Sequence, residues 1–173
     1  MGKRSDFKRK ERDFYATPFE AVMPLLPHLP PHTLFDEPCA GDRDLVRHLE
    51  SNGHQCARAS DISDKHPVDA LSIKASGAKM FITNPPWSRR FLHDLILHLS
   101  SILDTTWLLI DADWVHTKQS APYVSGGRCR KIVSVGRVKW FGNMTGKDNC
   151  AWHLFSKREG PTAFYGRSQG LEP

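Results

Sequence analysis

The chain lacks any apolar run approaching the ~18–20 residues that a bilayer-spanning helix requires. Its first residues are charged where a secretory signal would be apolar. Both absences point to a soluble, cytoplasmic protein with no membrane partner. Cysteine is scarce: Cys39, Cys56, Cys129 and Cys150 are widely spaced, without a Cys-x-x-Cys pair or a Cys/His grouping at zinc-site spacing. Such usage suits a reducing compartment; the histidines are read as solvated or core side chains, and no metal is assigned. Internal repeats are missing too. So is the full Gly-x-Gly-x-x-Gly pattern, which leaves a dinucleotide site and a phosphate-cradling loop without support.

What is present suffices for a core: 39% of the 173 residues are hydrophobic, with 9 Phe, 5 Trp and 3 Tyr. That length suits one domain with a short arm. The net charge of +5 is uneven. Residues 1–12 hold six bases against Asp6 and Glu11, so they read as a basic flexible arm and residues 13–173 as a single domain. Residues 34–71 carry eight acids against four bases, whereas residues 128–139 carry five bases and no acid. One acidic and one basic stretch suggest two different ligands, a polyanion such as nucleic acid favouring the basic one.

Thr17-Pro18-Phe19-Glu20 predicts a helix start, with Thr17 as N-cap, Pro18 at the first helical position and Glu20 as the reciprocal capping acid. Pro24 and Pro27 keep that helix short. Residues 33–36 read as a strand, 39–42 as a tight turn, and Leu45, Val46 and Leu49 recur at helical spacing. A second strand spans residues 55–59. Residues 62–78 leave room only for a short strand or turn around Val68 to Leu71. A third strand, residues 79–83, stops at Asn84-Pro85-Pro86-Trp87. Ser88 then caps a helix with Phe91, Leu92, Leu95, Ile96, Leu99, Ile102 and Leu103 on one stripe. Residues 107–110 are a buried strand, and after a polar loop residues 130–140 and 149–155 form a closing hairpin. This order predicts an open α/β, Rossmann-like sheet, mostly parallel, with a C-terminal antiparallel hairpin.

In such sheets ligands bind at the carboxyl ends of the strands, where the distinctive residues collect. Gly41 permits a tight turn and close approach of a ligand, and Asp61, twenty residues later, is spaced to hydrogen-bond ribose hydroxyls. The pair suggests an adenosine-containing cofactor. Asn84-Pro85-Pro86-Trp87 is the sharpest signal. Consecutive prolines hold the backbone extended and remove two N–H donors, so nearby carbonyls stay free to accept. The Asn84 amide oxygen beside such a carbonyl can accept both protons of an –NH2 group, and Trp87 can stack on the ring that bears it. Methylating a conjugated nitrogen needs this arrangement, because its lone pair must be drawn out of conjugation.

These residues resemble the class I S-adenosylmethionine-dependent methyltransferases, specifically the DNA adenine-N6 group and above all the small catalytic domains encoded by bacteriophages. Asp13 to Pro18 resembles the N-terminal cofactor motif, Glu37 to Asp42 the glycine-rich motif, Asp61-Ile62 the ribose-binding acid with its adenine-stacking neighbour, and Asn84 to Trp87 the catalytic tetrad. Residues 146–152 resemble the closing hairpin of the phage proteins. The resemblance implies S-adenosylmethionine as cofactor, held by Tyr15, Thr17, Glu37, Ala40, Gly41, Asp61, Ile62 and Asp69. It implies catalysis by Asn84, Pro85, Pro86 and Trp87 on an adenine flipped out of DNA, with Trp140 or Phe141 as a second aromatic. Two departures stand out. Arg43 replaces the second glycine of the motif, where its side chain would crowd the cofactor or point away. No separate target-recognition domain has room, so sequence selectivity should be low or lie in short loops such as residues 112–130. RNA or a protein glutamine remains an alternative acceptor, and a non-catalytic binding module with a degraded cofactor site is the alternative of a different class.

Overall fold

The computed structural model describes residues 16–140 and 148–167. The basic arm, Tyr15 and Phe141 lie outside the described residues, as does most of the segment between the two strands of the expected closing hairpin.

Seven strands among the described residues form one sheet in the order β2-β1-β3-β4-β6-β5-β7. They are β1 Leu34–Glu37, β2 Gln55–Ala59, β3 Met80–Thr83, β4 Thr105–Asp111, β5 Cys129–Arg137, β6 Asn149–Ser156 and β7 Ala163–Tyr165. β1 pairs in parallel with β2 and β3, and β3 with β4. β6 runs antiparallel to both β4 and β5, which makes the expected hairpin, and β7 adds in parallel to β5.

Alternation along β4 shows why the sheet is covered on both faces. Trp107 and Leu109 enter one core cluster with Phe35, Leu45, Leu49 and Trp152, while Leu108 and Ile110 enter the other with Leu95, Ile96 and Leu99. The first face carries α1 Phe19–Val22 and α2 Asp44–Ser51; the second carries α3 Arg89–Ile102. The α3 stripe buries Leu92, Leu95, Ile96 and Leu99, as its spacing requires.

Several local expectations are corrected. Pro18, not Thr17, is the N-cap of α1, and no side chain caps that end. The Thr17 hydroxyl is committed instead to Asn84, and Glu20 Oε1 accepts from the Lys139 backbone N–H at 2.6 Å. Long-range partners have outcompeted the local capping box. Ser88 likewise occupies the N-cap of α3 without a side-chain bond. The stretch around Val68 to Leu71 yields a 3-10 turn, Ala70–Ser72, capped by Asp69. The polar loop after β4 contains short helical pieces, among them α4 Ala121–Val124, because Trp114 and Tyr123 bury their rings against Phe155. β7, which the sequence does not announce, forms because the outer edge of β5 offers unpaired backbone groups.

Candidate active site

Chain order puts β2 on one side of β1 and β3 on the other, so the topological switch point lies between β1 and β3. Glu37 ends β1, Asn84 follows β3 directly, and Asp61 lies just past β2. All three expected motifs therefore meet at one end of the sheet.

The turn after β1 is laced to the end of β2. Ser60 N–H donates to Glu37 O at 2.9 Å, and Ala40 N–H donates to Ser60 O at 3.0 Å. Gly41 N–H donates to Asp61 Oδ2 at 3.0 Å, and Gly41 takes a positive φ of 47°. The Asp61 carboxylate also accepts from the Ser63 N–H and hydroxyl, at 2.8 and 2.7 Å. Protein donors thus already hold much of the acceptor capacity expected to meet a ribose. Ile62, next to it, is 50% exposed, an apolar side chain available to pack on a ring. Asp69 sits within electrostatic reach of Cys39, but its Oδ1 accepts from Leu71 N–H at 2.9 Å.

Glu37 is 1% exposed. Its Oε1 accepts from Cys39 N–H at 3.0 Å, while the buried Oε2 has no partner. Burial pushes its carboxyl up to about 8, opposed in part by the Thr83 side chain and the Cys39 N–H. The buried Thr83 hydroxyl, at the end of β3, lies near enough to act on this carboxyl but makes no hydrogen bond of ordinary geometry. A buried carboxyl oxygen left over at the switch point suits a cationic ligand group, such as the ammonium of an amino acid, whose charge would favour the ionised form that burial alone disfavours.

Asn84 Nδ2 donates to Thr17 Oγ1 at 3.1 Å. With one N–H of its amide committed to a buried threonine, the orientation of the group is set and the amide oxygen is left to serve as acceptor. Pro85 is buried and Pro86 half-buried. The Trp87 indole N–H donates to Leu109 O at 3.0 Å, and its ring meets Trp140 edge-on, centroids 5.8 Å apart at 85°. Trp87 is therefore half-buried and fixed in orientation, and Trp140, one of the two candidates for a second aromatic, packs beside it.

Arg43 adopts the left-handed conformation with φ 64°, which costs a non-glycine residue roughly 1–2 kcal/mol. Its side chain turns to Asp64, Nη2 to Oδ1 at 2.9 Å, and its Nη1 reaches Gly41 O at 3.5 Å. Asp64 and Ser63 escaped the sequence reading. The one signal for Asp64 is its offset, 21 residues from Arg43, beside the 20 that separate Gly41 from Asp61.

No group of three or more His, Cys, Asp or Glu side chains among the described residues is placed to hold a metal, and no described helix is long and apolar enough to cross a membrane.

No protein-family model matches the sequence, and no curated protein matches it. Solved structures do match its fold. The methyltransferase complex Mtq2-Trm112 of E. cuniculi, responsible for methylating the eRF1 translation termination factor, matches with TM-score 0.54 at 10% identity over 81% of this chain and 94% of that one. The methyltransferase subunit of a type I restriction-modification system from Streptococcus thermophilus matches with TM-score 0.52 at 9% identity, over 88% of this chain but 47% of that subunit. A Lactococcus lactis protein described as a hemolysin matches with TM-score 0.60 at 11% identity, over 88% and 94% of the two chains. The chain thus has the Rossmann-like fold shared by methyltransferases of different substrates, and identities this low speak to fold alone.

Proposed function

We propose that this chain transfers a methyl group from S-adenosylmethionine to the N6 amine of adenine in DNA. One observation carries the proposal: the Asn84 amide, at the end of β3 and followed by two prolines, is anchored by Thr17, while Glu37 at the end of the neighbouring β1 keeps a buried carboxyl oxygen without a partner. The methyltransferase folds it resembles are in keeping with this.

Bound S-adenosylmethionine supplies a methyl group carried on a positively charged sulfur. Glu37 would take the ammonium of its methionine part, Asp61 its ribose hydroxyls, and Ile62 and Asp69 would lie by its adenine, with Ala40 and Gly41 lining the turn and Tyr15 completing the site. The Thr17 hydroxyl, while accepting from Asn84, retains its own proton to offer the methionine carboxylate. On the substrate side, Asn84 Oδ1 and the Pro85 carbonyl would accept the two amine protons and draw the nitrogen lone pair out of conjugation. Pro86 keeps the loop extended, and Trp87, braced edge-on by Trp140, would stack on the extruded base. The amine sheds its proton only after transfer, so no strong base is required. Positioning and electrostatics do the catalysis.

The basic stretches at residues 1–12 and 128–139 favour a nucleic-acid acceptor over a protein one, and DNA is chosen over RNA on the resemblance of the motifs alone. Any sequence selectivity would lie in short loops such as residues 112–130, and the setting would be a bacterial cytoplasm if the gene is a phage's. The test is transfer of labelled methyl groups to matched DNA, RNA and protein acceptors, with Asn84→Ala as control. Label on DNA at adenine N6, reduced roughly a hundredfold or more in the mutant, is expected. Label on RNA or on protein glutamine instead would reassign the substrate. Label on no acceptor, with no cofactor bound, would leave a binding module.

A further inference from the structure

Four residues close a ring at the mouth of the candidate cofactor site. Gly41 N–H donates to Asp61 Oδ2, Asp61 N–H donates to Asp64 Oδ2 at 2.9 Å, Arg43 Nη2 donates to Asp64 Oδ1, and Arg43 Nη1 reaches back to Gly41 O. The ring joins the turn after β1 to the loop after β2, the two segments that would have to stay in register for one ligand to touch both.

We infer that Arg43 is a positioning residue for the S-adenosyl group: through Asp64 it holds Gly41 and Asp61 in the geometry that receives the ligand. This rests on the cofactor site proposed above. Stability does not account for an arginine here. The ion pair is partly solvated, with side-chain exposures of 43% and 20%, and such pairs contribute little to folding. The left-handed backbone at Arg43 also works against any residue but glycine. What the arginine adds is a connection. Its guanidinium is forked, so one nitrogen reaches Asp64 while the other reaches Gly41 O, and a glycine can make neither bond. Asp64 in turn uses one oxygen for Arg43 and the other for the Asp61 backbone, so the pose of Asp61 depends on both partners. The side chain that stands where the pattern has a glycine turns to Asp64 and keeps contact with the turn through Gly41 O.

The test is calorimetric titration of S-adenosylhomocysteine into the full chain and into Arg43→Gly, Asp64→Asn and the double variant, with thermal denaturation of each ligand-free protein. Arg158→Ala, whose exposed side chain pairs with Asp104 just ahead of β4 and touches no member of the ring, is the control. The Arg43→Gly protein is expected to melt at or above the wild-type temperature while binding roughly tenfold more weakly. Asp64→Asn should weaken binding in the same direction, the double variant should be no weaker than the worse single variant, and the control should bind as wild type does. Equal or tighter binding by Arg43→Gly, or additive losses in the double variant, overturns the inference while leaving the cofactor site in place. Binding by neither wild type nor Arg43→Gly overturns both.

Discussion

Thr17 and Asn84, 67 residues apart in the chain, share a hydrogen bond of 3.1 Å in which the asparagine amide donates to the threonine hydroxyl. That bond ties the entry of α1 to the end of β3 and decides which end of the Asn84 amide is left for a substrate.

Thr17→Val keeps the shape of this 5% exposed side chain and removes the acceptor. The Asn84 amide is then free to rotate, and a small misplacement of a reacting group costs rate steeply. Turnover is expected to fall roughly tenfold or more with the fold intact, read from steady-state transfer kinetics beside circular dichroism. Wild-type turnover would show that Thr17 does not orient Asn84.

Glu37 makes stability depend on pH. Burial raises its carboxyl from 4.5 to about 8, so between those values the folded protein holds a proton that the unfolded chain has lost. The corresponding stabilisation is complete below about pH 4.5 and disappears as pH rises through 8. Glu37→Gln, neutral throughout, should therefore gain melting temperature relative to wild type as pH increases from 5 to 9. A cationic ligand favours the ionised carboxylate, so S-adenosylhomocysteine binding should strengthen over the same range and lose that trend in the variant. Parallel melting curves for the two proteins would remove Glu37 as the titrating group.

Trp152 pins α1 to the sheet. Its buried indole N–H donates to Ala21 O at 2.7 Å. Trp152→Phe strands that carbonyl and is expected to cost about 1–3 kcal/mol from the lost bond, with a further contribution from the smaller ring. Urea denaturation measures it. A loss below half a kcal/mol would mean that α1 is held by other contacts.

The architecture was legible because it is written in short-range patterns. An unbroken apolar run at residues 107–110 marked the buried β4, the i, i+3/i+4 stripe marked α3, and the proline pair marked the stop after β3. The motif order then put Glu37, Asp61 and Asn84 at strand ends, and the sheet brings those ends together. Strand limits were less legible. β5 stops at Arg137 rather than at Trp140, after Gly136 adopts a positive φ of 90° and the ladder register shifts.

Sequence alone determined the α/β sheet, its closing hairpin and the residues gathered at its carboxyl edge, since each follows from local periodicity or from a strand's end. Tertiary structure decided how those residues are used. Thr17 leaves the helix cap for Asn84, Asp61 spends its oxygens on Gly41 and Ser63, Arg43 turns to Asp64, and β7 completes an edge. Each of these outcomes is a choice between a local partner and a distant one. A linear sequence does not record which buried donor comes within 3 Å of which acceptor; only the packing of the sheet against its helices does.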